Sequence, residues 1–211
     1  TNILLARLLG VDEYGAYVYI GSWLGLLSIV GLAGMPQIII RETAKHREHK
    51  NYATIRGLMR WAYQRSAIAV VSISLIMFAL VWLAQGLLDP LLFPAAWVAF
   101  LSLPFSVLMI LQAALMQGFR LVVLAKIPAT FVQRPLLAVL LVFFAVVASD
   151  VINVDIVVML TVLSSVVALL LQMVLLWYTL PLQLKQATPD ASLASKWQRS
   201  TWPLLFNSSL Q

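Results

Sequence analysis

The chain predicts an all-α polytopic membrane protein, and three observations carry that prediction. Of its 211 residues, 62% are hydrophobic and 10% charged, with a mean hydropathy of +0.95; a soluble domain carries roughly 25% charged residues. Long uncharged apolar runs divide the sequence, each near the roughly 20 residues that a helix needs to cross the hydrocarbon core, or longer. The gaps between those runs alternate in charge, so that 13 of the 14 Lys and Arg fall on every second gap. This is the positive-inside pattern, and it places the basic gaps in the cytoplasm.

The elements follow in order. Thr1–Ala6 is apolar but far too short to span, so a partial first span is expected over about residues 1–9, and the chain reads as an internal fragment of a longer protein. A first outer gap, Arg7–Glu13, holds Arg7, Asp12 and Glu13. Residues 14–40 form an uncharged run that ends inside. The basic inner loop Arg41–Arg65 follows, then a span over 66–88 that Asp89 and Pro90 stop. Spans over 95–117, 127–148 and 156–180 complete the set, and residues 201–211 begin a seventh. Helices are the open-chain solution, because hydrocarbon offers the backbone no hydrogen-bond partners. A β-barrel would show short alternating segments, and these runs do not alternate. Trp82, Trp97, Trp177, Tyr178 and Trp202 fall near span ends, as an aromatic belt requires. Residues 1–200 thus read as one six-helix transmembrane unit, with no soluble domain or low-complexity linker.

Within the inner loop, Tyr52, Ile55, Leu58, Met59 and Ala62 recur at three- and four-residue spacing, with Arg56 and Arg60 on another face. The spacing predicts an amphipathic helix lying along the cytoplasmic interface.

The net charge of +6 does not point to nucleic acid. It resolves into about +10 on the inner gaps (13 basic, 3 acidic) and −4 outside (1 basic, 5 acidic), where a nucleic-acid binder needs a basic soluble face. With no Cys, disulfides and thiolate metal sites are excluded. No HExxH, glycine-rich phosphate loop or paired intramembrane carboxylate is present. His46 and His49 lie in the basic loop and read as solvated. Asp89, Asp150 and Asp155 read as outer turn residues. No catalytic residue, metal or cofactor is therefore expected, and the chain does not read as an enzyme.

Three arginines lie closer to apolar sequence: Arg7 after the partial span, Arg41 at the end of the second, and Arg134 about seven residues into the fifth. At 1.5 Å per residue Arg134 sits roughly 10 Å from its helix start. Each either snorkels to the interface or faces a wet cavity and grips phosphate bidentately. Gln37, Gln112, Gln117, Gln133, Gln172 and Asn207 are polar positions in or near spans, suited to interhelical hydrogen bonds or to sugar hydroxyls. Gly21, Gly25, Gly31 and Gly34 offer close packing, and Pro36 and Pro104 are expected to interrupt their helices, as happens along transport paths.

The segments Leu5-Ala6-Arg7-Leu8-Leu9-Gly10 and Glu13-Tyr14-Gly15-Ala16-Tyr17 resemble the start of polysaccharide and lipid-linked oligosaccharide flippases. These belong to the multidrug/oligosaccharidyl-lipid/polysaccharide exporter superfamily. Gly31-Leu32-Ala33-Gly34-Met35-Pro36 running into Arg41 is similar to that family's second-span ending. Met116-Gln117-Gly118-Phe119-Arg120 is similar to the stretch after its fourth, and Trp202-Pro203-Leu204-Leu205 before Asn207 to its seventh-helix start. The resemblance covers essentially the whole chain, in order. It implies the N-terminal lobe of a two-lobe flippase/exporter fold, with the first helix truncated, the seventh only begun, and the C-terminal lobe as its partner. It further implies flipping of a lipid-linked glycan across the inner membrane by alternating access, in polysaccharide biosynthesis and export. Arg7 and Arg41 match the family's phosphate-attracting arginines; apart from the resemblance, Arg134 is expected to bind substrate from its depth in an apolar run, and Gln37 and Gln117 as polar positions in or near spans. The alternatives are a multidrug exporter of the same superfamily, against which the missing intramembrane carboxylate argues, and a membrane-embedded glycosyltransferase or polymerase, which would need a large catalytic loop.

Overall fold

The computed structural model describes residues 2–32, 34–83, 92–147, 153–190 and 197, with backbone alone for 92–99. The elements are α1 (Asn2–Leu32), α2 (Met35–Glu48), α3 (Tyr52–Leu83), α4 (Leu92–Gly118) and α5 (Val122–Ile127). A π-helical turn (Pro128–Gln133), α6 (Arg134–Val147), α7 (Val154–Thr179) and α8 (Leu182–Gln186) complete them. No strand occurs among the described residues. Among the described residues, five stretches are long and apolar enough to cross a membrane: α1, α3, the part of α4 from Phe100, α5 through α6, and α7. The protein is an all-α polytopic membrane protein.

Helix α4 is the hub. It packs on α1, α2, α3, α5 and α7, and Leu103, Val107, Leu111, Ala114 and Leu115 are almost wholly buried. Apolar side chains on several of its faces suit a helix surrounded by others. A second core joins Leu5, Leu9, Ala16 and Ile20 of α1 to Leu137 and Leu141 of α6 and to Val154, Val157 and Val158 of α7. Outward-facing Ile68, Val71, Leu75, Val139 and Phe143 remain exposed, which is what a lipid-facing surface requires.

Charge separates the two ends of this bundle. Asp12, Glu13 and Asp155 lie at the end bearing Gly10, Val147 and Val154. The basic residues of α2, of the first turns of α3 and of the α4–α5 connection lie at the other.

Four element boundaries depart from the sequence reading. The apolar run over 14–40 is not one helix. Helix α1 takes in both it and the short stretch before it, bending at Gly10 (φ 75°, ψ −179°) and stopping at Leu32. Gly34, at φ 74°, then starts α2 with Pro36 in its first turn. Hydropathy carries no record of chain direction; glycine at positive φ makes both breaks, and Pro is tolerated in the first helical turn. Arg41 accordingly lies in the middle of α2.

Pro104, expected to interrupt its helix, lies inside an unbroken α4. The run over 127–148 begins earlier, at Val122, because Lys126 continues the helix.

The expected interfacial helix is the first part of α3, which runs on into the span as one helix of 32 residues, about 48 Å at 1.5 Å per residue. Its apolar side does not meet the membrane surface, because Ile55, Leu58 and Ala62 are covered by protein. Arg56 donates from one guanidinium nitrogen to the carbonyls of Lys185 and Ala187, at 2.6 Å each. The Asp190 N–H donates to the Ala53 carbonyl. Trp197 fills a pocket of Ile38 and Leu58 beside Trp61, their rings 5.8 Å apart. The seventh-helix start over 201–211, with Trp202 and Asn207, lies outside the described residues, as do Asp89 and Asp150.

Candidate functional site

The bend at Gly10 brings two parts of α1 to one place. Leu5 and Tyr17, twelve residues apart, line the same cleft of about 610 Å³. The other walls are Asn2 and Ile3 of α1, Gln133 from the end of the π-helical turn, Arg134 and Leu137 of α6, and Thr161 of α7. One end of the bend is tied down: Glu13 Oε2 accepts the Val154 N–H at 3.1 Å, placing a carboxylate at the N-terminus of α7, where the helix dipole favours it.

Arg134 is twelve residues from Val122 and thirteen from Val147, hence about 18–20 Å from either helix end at 1.5 Å per residue. Arg134 is rooted near the middle of this membrane-crossing helical stretch, farther from its start than the roughly 10 Å that the sequence run gave, because the helix starts five residues earlier. A charge at that depth is costly unless it faces a polar cavity or a partner, and Arg134 lines the cleft.

The hydroxyls and amides of the cleft are held from behind. Tyr17 Oη and Thr161 Oγ1 lie 3.4 Å apart, and Thr161 Oγ1 donates to the Val157 carbonyl. Gln133 Nε2 donates to Ser165 Oγ at 2.8 Å, and that hydroxyl donates to the Thr161 carbonyl. Gln133 also lines a second, smaller chamber of about 200 Å³ with Ser106, Met109, Ala113, Ala125, Ala129 and Gln172. A guanidinium offers five donors in a fixed fork, and amides and hydroxyls both donate and accept. With no carboxylate among the described lining residues, the cleft suits a ligand rich in anionic oxygens and hydroxyls.

The structure brings together one of the five expected site residues and separates the rest. Arg134 lines the cleft. Arg7 is exposed on the face of α1 that carries Ile3, one turn nearer Gly10, at the lip and not in the lining. Arg41 pairs with its neighbour Glu42 at 3.2 Å and stays exposed on α2, toward the basic end. Gln37 is exposed on α2. Gln117 is half-buried at the end of α4, beside Gly118, where an added Cβ would come within 2.6 Å of the Thr43 Cβ. Gln112 and Gln172 are buried, and Gln172 Nε2 donates to the Met109 carbonyl. His46, read as solvated, is half-buried with Nε2 3.6 Å from Glu42 Oε2.

Gln133 was legible only as glue or a sugar contact, and Asn2, Tyr17 and Thr161 were missed. One signal was available for α7: Thr161, Ser165 and Gln172 recur at four and seven residues, a polar stripe on an otherwise apolar helix. No comparable signal marks Asn2 or Tyr17, which depend on the bend at Gly10. No cluster of three or more metal-ligating side chains occurs among the described residues.

The sequence matches the family model described as "Polysaccharide biosynthesis protein" over residues 1–211. Neither a curated protein nor a solved structure matches the chain.

Proposed function

Because the chain belongs to the polysaccharide biosynthesis protein family, we propose that it transports lipid-linked glycan precursors across the cytoplasmic membrane. The lipid-borne phosphate would sit at Arg134 and the sugar hydroxyls against Gln133, Tyr17 and Thr161. The observation that carries this reading is a guanidinium midway along a helix long and apolar enough to span a membrane, in a cleft of about 610 Å³ that is otherwise lined by uncharged polar and apolar groups. Such a site offers a temporary replacement for the hydration shell that a phosphate loses in hydrocarbon.

In this reading no bond is made or broken; the protein alternates between openings to the two sides. The basic end faces the cytoplasm, as the charge sorting implies. Arg7, at the lip, meets the substrate on its way in or out. Arg41, Gln37 and Gln117, near the basic end, act before the cleft is reached. The lipid-linked glycan, membrane lipids and a second lobe of the same protein are the partners, and no cofactor is needed.

The test is leaflet-resolved translocation of a fluorescent polyprenyl-diphosphate sugar by the intact protein in proteoliposomes. Arg134→Ala should slow translocation roughly tenfold or more, the loss of a charge-assisted contact, with Arg134→Lys between it and the unaltered protein. Arg41→Ala should change it less than threefold. An unaltered protein that leaves the lipid in place would sink the proposal, and transport of a cationic drug instead would favour the exporter alternative.

A further inference from the structure

The 610 Å³ cleft and the 200 Å³ chamber share one wall residue, Gln133. Its amide is held to α7 by the 2.8 Å bond from Nε2 to Ser165 Oγ. Ser165 is almost wholly buried, and its own proton is committed to the Thr161 carbonyl. The acceptor is therefore fixed in place, and Gln133 is latched to a rigid face of α7.

The backbone that carries Gln133 is irregular. The six residues Pro128–Gln133 form a π-helical turn, and Pro128 and Pro135 each remove a backbone donor from the same stretch. Both features depart from regular α-helical bonding, and π-helical turns recur at functional sites.

The two chambers differ in what they offer. The cleft presents Arg134, Tyr17, Thr161 and Asn2. The smaller chamber is walled by Ala113, Ala125, Ala129 and Met109, with amides at Gln133 and Gln172 and a hydroxyl at Ser106. At about 30 Å³ per water, it holds on the order of six waters, or a short stretch of ligand.

We propose that Gln133 is a specificity-determining partition. Latched to Ser165, it closes one wall of the cleft. Released, it joins the two chambers into one hydrated space that takes a longer hydroxyl-rich chain. The ligand half of this proposal rests on the transport reading above; the partition itself does not.

Because the chain contains no Cys, a single introduced thiol reports its own chamber, in a background freed of any cysteine elsewhere in the intact protein. Thr161→Cys reports the cleft and Ala113→Cys the smaller chamber. Both are labelled in nanodiscs with a small charged methanethiosulfonate. Thr161→Cys should react rapidly whatever stands at position 133. Ala113→Cys should react slowly beside Gln133, and roughly three- to tenfold faster with Gln133→Ala or Ser165→Ala, the change that loss of one hydrogen bond allows. Ser165→Ala keeps the partition side chain and removes only its latch, so it decides the matter if Gln133→Ala is poorly folded.

Two results overturn the partition: Ala113→Cys reacting as fast as Thr161→Cys in the unaltered background, or rates unmoved by both substitutions. If labelling shifts as expected but the intact protein moves no polyprenyl-diphosphate sugar, the partition stands and the transport reading falls. If both hold, Gln133→Ala should raise transport of lipids with long glycans relative to short ones.

Discussion

Arg56 and Arg134 carry the same guanidinium in two regions built on opposite principles. At the basic end, Arg56 is bonded to the carbonyls of Lys185 and Ala187 at 2.6 Å, two acceptors that the end of α8 would otherwise leave to solvent. Around it the chain is locked. An added Cβ at Gly57 would collide with the Asp190 backbone, Trp197 fills the pocket above Leu58, and Gly118 lets α4 abut Thr43. In the cleft, Arg134 follows a π-helical turn, and the neighbouring Gln133 is tied to α7 by one side-chain hydrogen bond. The comparison teaches that arginine count says little about binding. Arg56 closes a contact between two segments of the chain, whereas Arg134 lines an open polar cleft, and position separates the clamp from the candidate for ligand.

The comparison breaks most visibly at Trp197. Its side chain is 2% exposed, and Trp197→Ala should cost about 3–5 kcal/mol, the usual range for emptying a buried aromatic site. Thermal unfolding in detergent would register this as a drop in Tm of many degrees. An unchanged Tm would mean that the basic end is not locked as described.

Arg56→Lys comes next and sharpens the contrast. Both carbonyls are reached by the Nη1 end of Arg56, and the lysine ammonium, one bond nearer the backbone, falls short of them, so about 1–3 kcal/mol of stability should be lost while transport per folded molecule is retained. Arg134→Lys should do the reverse, leaving Tm within a degree or two and lowering transport. Identical behaviour of the two variants would erase the distinction between clamp and ligand site. Gly118→Ala tests the same locked region without touching charge. Its new methyl must displace Thr43 or the Ile40 carbonyl, with a loss of about 1–3 kcal/mol expected from overpacking.

Much of this fold was legible in the sequence because hydrocarbon imposes a simple rule on composition. The all-α membrane class and the separation of Asp12, Glu13 and Asp155 from the basic residues of α2 and α3 could be read from runs and gaps alone. What could not be read depends on tertiary geometry. The amphipathic pattern of Tyr52–Ala62 signals an apolar surface to cover, but not whether Trp197 or lipid covers it. A glycine at position 10 permits a bend without requiring one, and without that bend Leu5 and Tyr17 would not share a cleft. Arg41 and Arg134 look alike as arginines beside apolar runs. They separate only when Gly34 and Pro36 start a new helix around Arg41, while α5 extends the Arg134 helix by five residues. Pro104 failed as a signal for a related reason: a helix packed on α1, α2, α3, α5 and α7 has neighbours to hold it together across a missing donor.

The smallest expected effect lies between the two regions in kind, at Glu13. Its carboxylate accepts the Val154 N–H at 3.1 Å, so it is a clamp like Arg56, yet it holds the bend that shapes the cleft. Glu13→Gln keeps an acceptor and removes the charge, which should cost about 0.3–1 kcal/mol of helix-dipole attraction. Glu13→Ala removes the bond as well, for a further 0.5–1.5 kcal/mol or about that. If Glu13 serves the cleft through the bend, both variants should also slow labelling of Thr161→Cys or alter its saturation, in the same order as their loss of stability. If Tm falls in that order while the cleft thiol reacts unchanged, Glu13 caps α7 and nothing more, and the geometry of the cleft rests on Gly10 and the packing of Leu5 and Leu9 alone.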